Sequence, residues 1–359
     1  MNNKEFLNAV KLVVKEKGIN EDVIYEAMEL ALKSAYKRNF NSLENVEVKI
    51  DRLTGEIKVL SYLEVVEFDE EEGLDPELEI SLEEARETHP EIQVGEKIYT
   101  EITPDDFGRV AAATAKQVVV QKIREAERNV IIDEYNDKQD EMVTGSVEME
   151  DVRNYYINLG KTQGILPKTE IIPGETIKMG SSIKVYITKV DNNSKGPLIL
   201  LSRSHYGFVK RLFELEIPEI NEGLVLVQSV AREAGVRTKI SVSSEDENID
   251  AVGSCIGERG SRIANILAEL GGEKVDIIPF DKDIKTYIVN ALSPAKNLKV
   301  FITDEKQKEA LVIVDQENLS LAIGKKGLNV KLASRLTRFK IDVKTVEQAN
   351  ELGINIVGE

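Results

Sequence analysis

Tryptophan is absent from this chain, cysteine occurs once and histidine twice in 359 residues. The single thiol, Cys255, excludes an intramolecular disulfide and fits a reducing compartment. With so few soft ligands, and with His89 and His205 far apart in the sequence, zinc binding and thiol–imidazole catalysis lack their side chains. No Gly-x-x-x-x-Gly-Lys-Ser/Thr phosphate loop occurs. No apolar run approaches the roughly 18 residues of a membrane span. The opening MNNKEFLNAVKLVVKEKG carries charge inside its apolar stretch, so it reads as an amphipathic helix and not as a signal peptide. Aromatic residues make up 5% of the chain, too few for a broad base-stacking platform. These absences predict a soluble, cytoplasmic, non-enzymatic chain with no membrane contact, no metal and no cofactor.

Acidic residues, by contrast, are plentiful, and the net charge is −17. It is unevenly spread: residues 1–138 carry −14, 139–202 carry −1, 203–281 carry −5, and 282–359 carry +3. An acidic front half suits a basic protein surface, whereas the basic last section tolerates a polyanion. The length favours two to four domains.

Residues 3–17 and 21–38 read as amphipathic helices. The second is capped by Asn20, with Glu21 and Asp22 in its first turn and Lys37 and Arg38 in its last, the order that suits the helix dipole. NVEVKIDRLTGEIKVLSYLEVVE alternates around a Thr-Gly turn, as a β-hairpin does. An acidic loop, FDEEEGLDPELEIS, lacks EF-hand spacing and is read as solvated. About 30 residues without Gly or Pro follow Gly108, enough for a helix of about 45 Å. From Met142, short β-like runs separated by Gly, Pro and Asn predict a five-stranded barrel of the oligonucleotide-binding type.

The remainder is one architecture used twice, helix–strand–strand–helix–loop–helix–strand. Each copy carries a Gly-x-x-Gly turn: Gly257, Glu258, Arg259, Gly260 in the first, and Gly324, Lys325, Lys326, Gly327 in the second. Twenty-three glycines make one or two such pairs expected by chance, so the spacing alone means little. The surroundings repeat as well. Ile256 and Ile323 precede the first glycine, Ile263 and Val330 follow the second, and each copy closes on a Lys–aliphatic–Asp–aliphatic strand, KVDI at 274–277 and KIDV at 340–343. A turn flanked by glycines lets backbone approach a phosphate, the following helix start offers free N–H groups, and a basic residue displaces counterions. KH domains hold about four unstacked nucleotides in this way. Glu258 offsets Arg259, whereas Lys325 and Lys326 reinforce each other, so the second loop is expected to dominate salt-dependent binding.

This order, S1-like barrel then KH then KH, resembles the NusA family of bacterial transcription factors over almost the whole chain. The most specific stretches are RSHYGFVKRLFELEIPEINEGLV, AREAGVRTKISVSSEDENIDAVGSCIGERGSRI, NALSPAK and LAIGKKGLNVKLASRLT. The resemblance implies a multidomain α+β fold: an N-terminal α/β domain with a long connecting helix (1–138), an S1-type OB-fold β-barrel (139–203), two tandem type II KH domains (204–281 and 282–350) and a short tail (351–359). It implies that the N-terminal domain docks on RNA polymerase near the RNA exit channel and that S1–KH–KH engages nascent single-stranded RNA. Pausing, intrinsic termination and antitermination would be the processes modulated. Other Nus-type antitermination factors would be further partners of a monomer. Carried over by position, the RNA contacts are the two glycine loops with Arg262 and Asn329 just beyond them, and Lys37, Arg38 and Arg109 face the exit channel.

Some positions depart from the family pattern: Leu328, Phe280 and the pair Arg338–Phe339, and Pro167 where S1 domains carry His. Tyr155, Tyr156 and Tyr186 are the exposed aromatics expected on the barrel. The chain reaches only Glu359, so regulation through the acidic C-terminal repeats of some members is not expected. Two rivals remain. A phosphorolytic exoribonuclease would need catalytic domains larger than 138 residues and places KH before S1. A ribosome-assembly or translation factor could use the same rear modules, and the acidic front domain argues against it.

Overall fold

The computed structural model describes the chain except residues 1–2, 19, 41, 43, 68–73, 105–106, 194–195 and 352–359. The centre of the acidic loop and nearly all of the expected tail therefore lie outside the described residues. Two compact units divide at residues 131 and 132.

In the first unit, helix α1 (Asn3–Lys17) and helix α2 (Glu21–Phe40) precede a hairpin of β1 (Val46–Ile50) and β2 (Ile57–Val66). The Asn20 side chain accepts from the Asp22 N–H at 2.9 Å, the expected N-cap. Strand β2 also pairs with β3 (Glu79–Ser81), in parallel, and with β4 (Lys97–Glu101), antiparallel; α3 (Leu82–Thr88) lies between those two in sequence. The strict alternation of β1 buries Val46, Val48 and Ile50 against Ile24, Met28 and Leu32, which recur every fourth residue on α2. Ala111, Ala115 and Val118 of α4 (Phe107–Asn136) complete that core. This 30-residue helix is the uninterrupted one read from the sequence.

The second unit starts with a closed barrel: β5 (Met142–Glu150), β6 (Asn154–Asn158), β7 (Gln163–Pro167), β9 (Gly196–Ser202) and β8 (Ser182–Asn193), in that order around the ring. Val147, Ile157, Leu166, Val185 and Ile199 are buried within it. One expectation is corrected here. Tyr186 is only 5% exposed, because its hydroxyl donates to Asp140 Oδ1 at 2.9 Å and its ring lies against His205 and over Gly207. A Cβ at 207 would fall 2.3 Å from that ring. Tyr186 therefore locks the barrel to the segment at residues 205–207 and is closed to bases.

The first repeat comprises α5 (Tyr206–Glu216), α6 (Pro218–Asn221), β10 (Leu226–Glu233), β11 (Arg237–Ser243), α7 (Ala251–Ile256), α8 (Ser261–Glu269) and β12 (Lys274–Pro279). The second comprises α9 (Ile284–Ala291), β13 (Lys299–Asp304), β14 (Glu309–Val314), α10 (Gln316–Ile323), α11 (Leu328–Thr337) and β15 (Lys340–Thr345), followed by α12 (Val346–Glu351). In both sheets the middle strand pairs antiparallel with the first strand and parallel with the last.

Two buried arginines join the barrel to the first repeat. Arg203 reaches Glu175 at 2.5 Å and Glu269 at 3.0 Å, and Arg232 meets Glu273 at 2.9 Å. Both guanidinium groups stack on Phe208, at 4.8 and 5.8 Å. Charges this deeply buried are tolerated because every partner is present: Glu273 also accepts from Thr238 and the Gly235 N–H. The two repeats are joined through apolar contact. Ala231 and Ile278 of the first sheet belong to one core with Tyr287, Ile288, Leu332, Ala333 and Leu336 of the second repeat.

Candidate nucleic-acid interface

The two glycine turns have nearly identical backbones. Gly257 sits at φ 74°, ψ 174° and Gly324 at φ 75°, ψ 170°, a region only glycine occupies without strain. Arg259 (φ 52°) and Lys326 (φ 54°) are left-handed, and Gly260 and Gly327 follow at φ 77° and 73°. The Gly260 N–H donates to Gly257 O and the Gly327 N–H to Gly324 O, each at 3.1 Å. Each turn then opens a helix, α8 or α11, whose first N–H groups have no acceptor within the helix itself. Glu258, Arg259, Lys325 and Lys326 are exposed or half-exposed, and among the described residues none of the three cations has a carboxylate within 4 Å. Exposed apolar side chains adjoin each turn: Ile256 at 41% and Leu321 at 48%.

Five residues past the first glycine, the two copies use different side chains for the same task. Arg262 donates through Nη1 to Ser254 O at 2.7 Å, tying α8 back to the end of α7, and pairs with Glu219 at 2.7 Å. Asn329 donates through Nδ2 to Leu321 O and Ala322 O at 3.1 Å and to Leu292 O at 3.0 Å. Ser254 and Leu321 are equivalent positions of the repeat. Two expectations change accordingly. Asn329 is 1% exposed and shapes the loop from within, so its side chain offers no contact surface. Arg262 is half-buried, with part of its guanidinium engaged in holding the loop.

The sequence missed the reason for these tethers, since nothing in a lone Arg or Asn announces that its partners are backbone carbonyls. Lys331 of α11 meets Glu233 of the first repeat at 2.9 Å. Cys255 lies buried in α7, one residue short of the first turn, and burial pushes its thiol up to about 12, with Glu219 adding to the rise. His205 caps α5 by accepting from the Gly207 N–H through Nδ1 at 3.1 Å, and burial lowers its pKa.

In the first unit the three basic residues expected near an exit channel are gathered at one end. Lys37 and Arg38 occupy the last turn of α2, and Arg109 the first turn of α4. Tyr36, Phe40 and Phe107 hold those helix ends together, with ring centroids 4.9–6.2 Å apart.

Residues 5–129 match the NusA N-terminal domain, 203–280 the NusA-like first KH domain and 284–351 the NusA-like second KH domain. Over 350 residues the chain is 51% identical to the transcription termination/antitermination protein NusA of Bacillus subtilis strain 168, covering 98% of this chain and 93% of that one. The chain belongs to the NusA family. NusA of Halalkalibacterium halodurans is 49% identical over 352 residues, covering 98% of this chain and 91% of its own. NusA of Thermus thermophilus is 41% identical over 356 residues, with 96% and 91% covered. Membership favours the transcription reading over the ribosome-assembly alternative, since these relatives are named as transcription termination/antitermination proteins. Within the NusA framework, the five-stranded barrel fills the stretch between the N-terminal and first KH matches, and the two glycine turns fall inside the two KH matches. Among the described residues no helix is long and apolar enough to cross a membrane.

Proposed function

We propose that this protein is a cytoplasmic transcription elongation factor that docks on RNA polymerase through residues 1–138 and holds emerging single-stranded RNA through residues 139–350. In that role it modulates pausing, intrinsic termination and antitermination by binding and positioning, without a reaction of its own. The observation that carries the RNA part is the pair of matching Gly-x-x-Gly turns. Each opens a helix, and together they display three cations, Arg259, Lys325 and Lys326, that have no carboxylate within 4 Å among the described residues. Gly257–Gly260 and Gly324–Gly327 supply backbone amides to phosphates, and Arg259, Lys325 and Lys326 supply charge. Arg262 contributes whatever part of its guanidinium Glu219 and Ser254 leave free. Lys37, Arg38 and Arg109, gathered at one end of the first unit, form the basic surface that suits an RNA hairpin leaving the polymerase.

Changing both Lys325 and Lys326 to Asp in the full chain tests the assignment. Single-stranded RNA affinity should fall and its salt dependence flatten. Unchanged affinity in a filter-binding titration, with circular dichroism intact, would defeat the loop assignment. For the docking part, the full chain used as bait should retain RNA polymerase, and retention of ribosomal subunits in its place would overturn the transcription reading.

A further inference from the structure

The first KH sheet is covered on both faces. Its inner face packs on its own helices, and its outer face receives α9 and α11 of the second repeat. Most of that second joint is apolar, yet a lysine lies in it. Lys239, on the middle strand β11, is 0% exposed. Its ammonium donates to Asp276 Oδ2 at 3.1 Å on the neighbouring strand and to Ser293 O at 2.9 Å, just after α9 in the second repeat. Two strand positions on, Ser241 meets the Tyr287 hydroxyl of α9 at 2.8 Å.

The internal repeat supplies the control. In the first sheet Ala231, Lys239 and Asp276 lie in register, and the matching row of the second sheet is Phe301, Leu311 and Asp342. Leu311 is buried at 4% among Phe301, Ile313 and Ala349 of α12. An apolar residue therefore suits this place in the fold when no second KH module has to be seated on it. A buried ammonium is costly and directional, whereas leucine contact is slippery. Burial lowers the Lys239 pKa, and Asp276 works against that fall.

We infer that Lys239 is a positioning residue: its bond to Ser293 O fixes the angle between the two KH modules, and so aligns the two glycine cradles for one continuous RNA strand. The inference rests on the proposed two-cradle grip. Alignment matters because a second contact on the same strand adds affinity only if geometry permits simultaneous engagement.

The test is Lys239→Leu in the full chain, which installs the residue the second sheet carries at the matching row. The substitution removes one partner of a buried pair, leaving Ser293 O without its donor and Asp276 with Arg237 at 3.3 Å, so the melting temperature should fall while the chain still folds. Mixed-sequence RNAs of about four and about twelve nucleotides then report on one cradle and on both. We expect K239L to bind the short RNA as the unaltered protein does and to lose about tenfold or more on the long one. Long-RNA affinity equal to that of the unaltered protein would overturn the inference. Parallel losses on both lengths, or a variant that fails to fold, would also overturn it, since either makes Lys239 a general structural residue. If the unaltered protein itself gains nothing from length, the two-cradle reading fails first and the inference falls with it.

Discussion

Asn329 occupies the space that any side chain at residue 324 would need. A Cβ on Gly324 would lie 2.7 Å from Asn329 Cβ and 2.8 Å from its backbone nitrogen. The glycine and the asparagine thus define each other: one vacates the space, and the other fills it while bonding three carbonyls. Gly327, three residues on, has open space around its Cβ position. Gly324→Ala should therefore cost about 3 kcal/mol, from strain and overpacking together. Gly327→Ala should cost about 1 kcal/mol, the left-handed backbone penalty alone. Urea unfolding of both variants measures the difference, and equal costs would contradict the packing described.

Asn329→Ala leaves the carbonyls of Leu292, Leu321 and Ala322 without their donor in a buried setting. A loss of about 1–3 kcal/mol is expected. RNA affinity should fall too, because the turn loosens, even though the side chain is no contact. Amide exchange across residues 321–329 would show the loosening directly, and protection equal to that of the unaltered protein would speak against the tether.

Glu258 and Lys325 hold equivalent places in the two turns with opposite charge. Glu258→Lys should make the first cradle resemble the second, raising single-stranded RNA affinity. Each further phosphate neutralised should steepen the slope of log K against log salt by about 0.7. A titration at several salt concentrations reads this, and an unchanged slope would mean that the first turn stands away from the backbone of the RNA.

Asp151, at the tip between β5 and β6, accepts from the Tyr156 hydroxyl and from the N–H groups of Arg153 and Asn154. These bonds lower its pKa to about 2. A carboxyl depressed in the folded state stabilises above its unfolded pKa, near 4. That contribution drains away as pH falls through about 2. Asp151→Asn should therefore melt below the unaltered protein at neutral pH, with the gap closing between about pH 4 and pH 2. A gap constant across that range would exclude the carboxylate as its source.

Most of the architecture was legible because it is written in local periodicity. The alternation of VEVKI, the fourfold spacing of Ile24, Met28 and Leu32, and the duplicated glycine turns each specify an element through neighbours within a few residues. Tyr186 and Asn329 were misplaced for a common reason. An aromatic on a barrel strand and an amide after a glycine turn look the same in sequence whether they face solvent or a carbonyl from another element. Lys239 was illegible too, since in RTKISVS it sits where a half-exposed strand would put a solvated lysine.

Element order, the twofold repeat, the charge division and the chemistry of the two turns were settled by the chain's own residues, since they rest on backbone preference and short-range pattern. Packing alone settled which face of the first KH sheet is covered, which polar side chains are buried there, and that three basic residues from two helices share one end of the first unit. Those outcomes depend on contacts between residues far apart in the chain, where the same side chain can be solvated or pinned according to what packs above it.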